Sequence, residues 1–149
     1  MWAAIGSILL GVLGWTVTSF VAKPIIDFLE LRRKVHEELV YTGNIGLMDL
    51  QNAERREKFE EAVERLRRLG AQVQAMDVGM ISLVRKILVW TGFNLTQSGR
   101  GLIGLSNSLH TQDGSRALHS YAIEKAFKLP SDYTAEMIED IRKRISRGI

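Results

Sequence analysis

The chain has no cysteine. That excludes disulfides, thiolate nucleophiles and Cys-based zinc sites. Three histidines, His36, His110 and His119, leave little material for any other metal centre. Proline occurs twice, at Pro24 and Pro130, and no segment sustains the apolar–polar alternation of a strand. Internal repeats and low-complexity tracts are also missing. The most informative absence is of charge. All 20 Lys/Arg and all 17 Asp/Glu fall at or after Lys23, so residues 1–22 carry none. The mean hydropathy of −0.01 is therefore a cancellation between an apolar segment and a highly charged one. With 46% hydrophobic residues the chain is no disordered tail, and 149 residues argue against a large multidomain enzyme.

What is present at the N-terminus is WAAIGSILLGVLGWTVTSFVA, residues 2–22. As a helix it would reach about 31 Å, close to the ~30 Å apolar core of a bilayer. A cleaved signal peptide would need a basic leading region and a small-x-small cleavage site. No Lys or Arg precedes Lys23, and Phe20-Val21-Ala22 has a bulky residue at the −3 position. A retained transmembrane helix over residues 1–22 is the expectation. Lys23, Arg32, Arg33 and Lys34 follow the span as a basic membrane-surface set. The positive-inside rule then puts the N-terminus outside and the remainder in the cytoplasm. Trp2 stands where an interfacial anchor belongs, whereas Trp15 lies deep in the span.

Ala4, Ser7, Gly11, Gly14 and Thr18 are spaced 3, 4, 3 and 4 apart, which makes one stripe on a helix. Small residues let helix backbones approach closely in lipid, where no hydrophobic effect drives association. The bland alternative is that Gly and Ala are common in membrane helices. With one span per chain, the partner would be another chain, most simply a copy. In a large enough ring Thr16, Thr18 and Ser19 could face a pore.

Residues 23–44 read as an amphipathic connecting helix. IIDFLELRRKVHEELVY repeats apolar residues at helical spacing, with the helix bent or restarted at Pro24 and stopped by Gly43-Asn44-Ile45-Gly46. Residues 45–149 read as a cytoplasmic all-α domain, a helical bundle. Its first helix runs from about Met48 to Met76, with Phe59, Ala62, Val63, Leu66, Leu69, Val73 and Met76 buried. Its outer face carries Glu61/Arg65 and Glu64/Arg68 in favourable i,i+4 order. That face could be a coiled-coil partner site, but fewer than three clean heptads make a solvated surface the better reading. MISLVRKILVW, residues 80–90, is expected as the central core helix. Asn94 or Ser98 caps a helix over 100–110, Asp113-Gly114 turns into a helix over 115–128, and Pro130-Ser131-Asp132 leads to a last helix over 133–147.

Three motifs need weighing. Gly99-Arg100-Gly101-Leu102-Ile103-Gly104 has the G-x-G-x-x-G order but follows no strand and lacks a Walker lysine. Close helix packing explains it better than phosphate binding. Ser106-Asn107-Ser108 with His110 is a polar island without an evident orienting acid other than Asp113, which suits a helix-end hydrogen-bond network rather than hydrolysis. Arg116 with His119, like Arg33 with His36, is R-x-x-H. The all-α ribonucleases of the HEPN class use four to six residues between Arg and His, so no catalytic role carries over. A nucleotide or RNA contact at Arg116 and His119 is the functional alternative to exposed polar helix residues. In the final helix Glu136, Glu139 and Asp140 precede Arg142, Lys143, Arg144 and Arg147, an order that complements the helix dipole.

The short anchor, Pro24 leading into LRRKVHEEL, and LIGLSNSL resemble a group of small bacterial single-pass membrane proteins. In architecture the chain is also similar to the membrane accessory proteins of type VI-B CRISPR systems. Those join an N-terminal span to a degenerate HEPN-like domain and assemble as ring-shaped pores that depolarise membranes during phage infection. The resemblance implies a non-enzymatic homo-oligomer in the bacterial inner membrane, a pore-forming or membrane-perturbing effector of anti-phage defence. The rival expectations are a tether or accessory subunit of a larger membrane complex, and a degenerate HEPN-like RNA-binding module. Expected partners are membrane lipid, further copies of the chain and other membrane-complex subunits, not nucleic acid. No cofactor, metal or catalytic residue is expected.

Overall fold

The computed structural model describes residues 2–45, 53–111 and 114–147, with side chains from Gly6 onward and without that of Arg55. Every regular element among them is helical. The chain begins with α1 (Trp2–Val17), which passes through a π turn (Thr18–Ala22) into α2 (Lys23–Gly43). These three form one unbroken helix, so Pro24 does not restart it. The reason lies in the π turn. Proline has no N–H, and its ring clashes with the carbonyl four residues back. Here the ladder has already widened, with the Lys23 N–H bonding Thr18 O five residues back. Pro24 then falls at the start of the following helix, where the missing donor costs least.

The bundle consists of α2 with α3 (Ala53–Gly79), α4 (Ser82–Trp90), α5 (Leu95–Ser108), α6 (Ser115–Phe127) and α7 (Ala135–Arg147). The start expected near Met48 lies outside the described residues. The α3 stripe packs as its spacing predicts: Phe59, Ala62, Val63, Leu66 and Val73 are buried, with Leu69 and Met76 at the edge. Its main partner is α5, not residues 80–90. A methyl group on Gly70 would stand 3.2 Å from the Gly99 carbonyl oxygen, and one on Gly99 3.3 Å from that of Gly70. Two glycines therefore let α3 and α5 cross backbone to backbone. Their register is antiparallel: Thr96 bonds Asp77 at 2.7 Å, Arg67 bonds Asn107 at 3.2 Å, and Phe59 meets the His110 ring at 4.7 Å between centroids.

Helix α4 corrects the sequence expectation. It lies at the margin of the core, with Val84 and Leu88 buried but Leu83, Val89 and Trp90 exposed. Its apolar content is high, yet only one side meets the bundle. The next helix starts earlier than expected because Asn94, rather than Ser98, is the cap and accepts from the Gln97 N–H at 2.9 Å. Gly114 begins α6 at φ +81°, a left-handed turn any L side chain would strain. Lys128 closes α6 in the same region, with Leu129 N–H reaching Glu124 O at 2.8 Å, and Pro130 follows. Thr134 caps α7 through Met137 N–H at 3.2 Å, and α7 settles on α6 through the buried Ile138.

These pairings give the bundle two ends. Arg116 at the start of α6 meets Thr42 and Ile45, whereas Phe127 and Lys128 meet Arg32. The end beside Lys23 thus gathers the C-termini of α3 and α6, the N-terminus of α5, and α4. Phe28 anchors it, with ring centroids 4.9 Å from Phe93 and 6.0 Å from Phe127.

Candidate functional site

The most distinctive feature is the helix that leaves the bundle. Within Gly6–Gly43 the chain is long and apolar enough to cross a membrane, and none of its most apolar window is buried in the fold. Ile8, Leu9, Leu10, Val12, Leu13, Trp15 and Val17 are all exposed. In water such a surface would be strongly unfavourable, at roughly 25 cal/mol per Å² of apolar area. Among the described residues nothing lies within 4 Å of a Cβ built on Gly11 or Gly14, so the small-residue face is uncovered at those positions. Ser7 and Thr18 share that side, and the Ala4 side chain lies outside the described part. Thr16 returns its hydroxyl to Val12 O at 2.8 Å, which satisfies it within the helix. Thr16 and Thr18 stand roughly 160° apart around the axis, so one helix face cannot present both. Ser19 faces a groove shared with the domain.

The four basic residues after the span separate into different roles. Lys23 is exposed at the start of α2. Arg32, Arg33 and Lys34 lie about 14–16 Å further along the axis, more than the roughly 5–7 Å thickness of a headgroup layer. Arg33 pairs with Glu37 on the same helix. Arg32 donates from Nε to Phe127 O and from Nη2 to Lys128 O, both at 2.8 Å. It covers the carbonyl end of α6. Arg116 does the reciprocal: Nη1 donates to Ile45 O at 3.0 Å and Nη2 to Thr42 O, at the carbonyl end of α2. Two antiparallel helices thus each cap the other's negative pole. The His119 ring lies directly over Gly104, and Ile123 lies over Gly101. The glycine-rich segment therefore makes close approaches to α3 and α6.

The polar island on α5 is held locally. Ser106 Oγ donates to Ile103 O at 2.7 Å, Ser108 Oγ donates to Leu105 O at 3.2 Å, and the His110 ring packs at a tilt of 58° on Phe59. Asp113 lies outside the described residues. The α3 ion pairs fall where expected, with Arg65–Glu61 at 3.5 Å and Arg68–Glu64 at 2.7 Å. Arg65 also reaches Glu38 at 3.6 Å and lies 4.7 Å above the Tyr41 ring. Burial raises the Glu38 carboxyl above its ordinary value, against the lowering effect of Arg65.

Sequence reasoning missed a polar cleft of about 520 Å³ between α2, α6 and the α6–α7 connector. His36, Arg116, Ser120, Glu124, Asp132 and Tyr133 face it. Burial raises the Glu124 carboxyl, the Ser131 hydroxyl lowers it, Asp132 raises it, and His36 lowers it. One Glu124 oxygen, Oε2, is buried without a hydrogen-bond partner. This acid holds its proton to higher pH than an exposed one. The available signal was an acid set between Ile123 and Phe127 on the inner side of α6. Among the described residues no group of three His, Asp or Glu is arranged to hold a metal.

Comparison with protein-family models, curated proteins and solved structures finds no match.

Proposed function

We propose that the chain is a single-pass membrane protein that assembles with copies of itself through its span and holds its helical domain on the cytoplasmic side. The observation that carries this reading is the apolar helix projecting uncovered from the bundle. A surface of that length needs lipid or another helix, and a chain with one span has no second helix of its own to offer. Gly11 and Gly14 supply the closest approach, with Ser7 and Thr18 on the same stripe. The basic residues downstream of the span support the inward orientation of the domain.

Assembly into a ring around an open axis would make the protein a membrane-perturbing effector. The architectural resemblance to type VI-B CRISPR accessory proteins supports that extension and its anti-phage setting.

Mass photometry of the detergent-purified chain tests the reading. The wild type is expected as a discrete oligomer, and Gly11→Leu with Gly14→Leu as a monomer. An unchanged mass for the double variant would remove the stripe from the account. A monomer that copurifies with a stoichiometric, different membrane protein would make the chain an accessory subunit instead.

A further inference from the structure

We infer that α4 is a second membrane contact, an amphipathic helix that rests on the cytoplasmic bilayer surface beside the span. The inference rests on the proposal that the helix of residues 1–22 crosses the bilayer. Three independent observations support it.

The first is position. A groove of about 390 Å³ brings Ser19, Phe20, Pro24 and Asp27 against Met76, Gly79, Met80 and Ile81. The chain leading into α4 is therefore level with the end of the span. At the far end of α4, Phe93 packs on Phe28. Phe28 is five residues past Lys23, about 7.5 Å along the axis. Both ends of α4 thus lie at the depth of a headgroup layer, which is roughly 5–7 Å thick on each side.

The second is chemistry. Val84 and Leu88 hold α4 to the bundle, while Leu83 and Trp90 are 55% and 87% exposed. Val78 and Ile81, just before the helix, are exposed as well. On the helix Leu83, Lys86 and Trp90 follow at i, i+3 and i+7, which is one face. A tryptophan and a leucine flanking a lysine suit the bilayer interface, where the indole sits among headgroups and the ammonium meets lipid phosphate.

The third is charge. Lys23, Arg85, Lys86, Lys125 and Lys128 lie towards this end, together with the acids Asp27 and Asp77. Arg85 is already paired with Asp77 at 3.3 Å, and Lys128 stands over the Phe93 ring. Lys23 and Lys86 remain exposed, which fits an anionic leaflet.

The test uses tryptophan fluorescence of the full chain in nanodiscs of phosphatidylglycerol and phosphatidylcholine. Trp2→Phe with Trp15→Phe leaves Trp90 as the only tryptophan, and Trp2→Phe with Trp90→Phe leaves Trp15. Trp90 is expected to show blue-shifted emission, quenching by headgroup nitroxide lipid and loss of quenching by aqueous iodide. Lys86→Glu should partly restore iodide quenching. Trp15 is expected to be quenched by chain-end nitroxide lipid. Trp15 in lipid with Trp90 open to iodide would overturn the inference and leave the span intact. Trp90 shielded from both iodide and lipid would overturn it in favour of a second copy covering α4. Trp15 unquenched by lipid would overturn the span reading, and the inference with it.

Discussion

Gly70 and Gly11 are the same amino acid under opposite constraints. Gly70 sits where α3 and α5 touch, with Ile103 Cγ1 only 2.8 Å from where its Cβ would be and the Gly99 carbonyl behind it. Gly70→Val should destabilise the bundle by about 1–3 kcal/mol through overpacking, measured by chemical unfolding in mild detergent. Gly11→Leu should leave that unfolding curve in place, because nothing among the described residues stands within 4 Å of its Cβ position. Glu124 carries a different residue-scale prediction. Its folded-state carboxyl is raised above 4.5 by burial. The stabilising contribution of the protonated form is therefore complete below that value and is lost as pH rises through the folded pKa. Glu124→Gln should raise the melting temperature relative to wild type at neutral pH, with the gap closing at about pH 4. A pH-independent gap would mean that the carboxyl is not the cause.

At the scale of elements, periodicity and capping explain what the sequence made legible. The α3 stripe from Phe59 to Val73, the i,i+4 pairs on its outer face and the Gly114 boundary of α6 follow from local rules. Helix α4 was misassigned because apolar content does not reveal which sides find a partner: Val84 and Leu88 do, and Trp90 does not. The arginine caps were equally illegible. Arg32 and Phe127 are 95 positions apart, and only the antiparallel pairing of α2 with α6 brings them together. Charged hydrogen bonds of this kind contribute about 1.5–3 kcal/mol each. Arg116→Ala and Arg32→Ala should each lower unfolding free energy by that order. Arg33→Ala, which loses only an exposed pair with Glu37, should cost under about 1 kcal/mol. Equal effects at all three positions would argue against the capping roles.

For the whole molecule, the split at Lys23 organises everything else. A charge-free helix passes through a π turn into a charged bundle without a break, so the two parts share one helix axis. If the helix crosses a bilayer as proposed, the uninterrupted axis also sets which end of the bundle lies near it. The absence of cysteine makes the central claim directly measurable, because any introduced thiol is unique. Ala3→Cys, at the start of the span, and Gln72→Cys, on an exposed position of α3, can each be labelled with a membrane-impermeant maleimide in intact bacterial spheroplasts expressing the full chain. Ala3→Cys is expected to label from outside, and Gln72→Cys only after permeabilisation, with both in the membrane fraction. Recovery of the chain in the soluble fraction, or labelling of both positions from the same side, would contradict a single span with the domain inside.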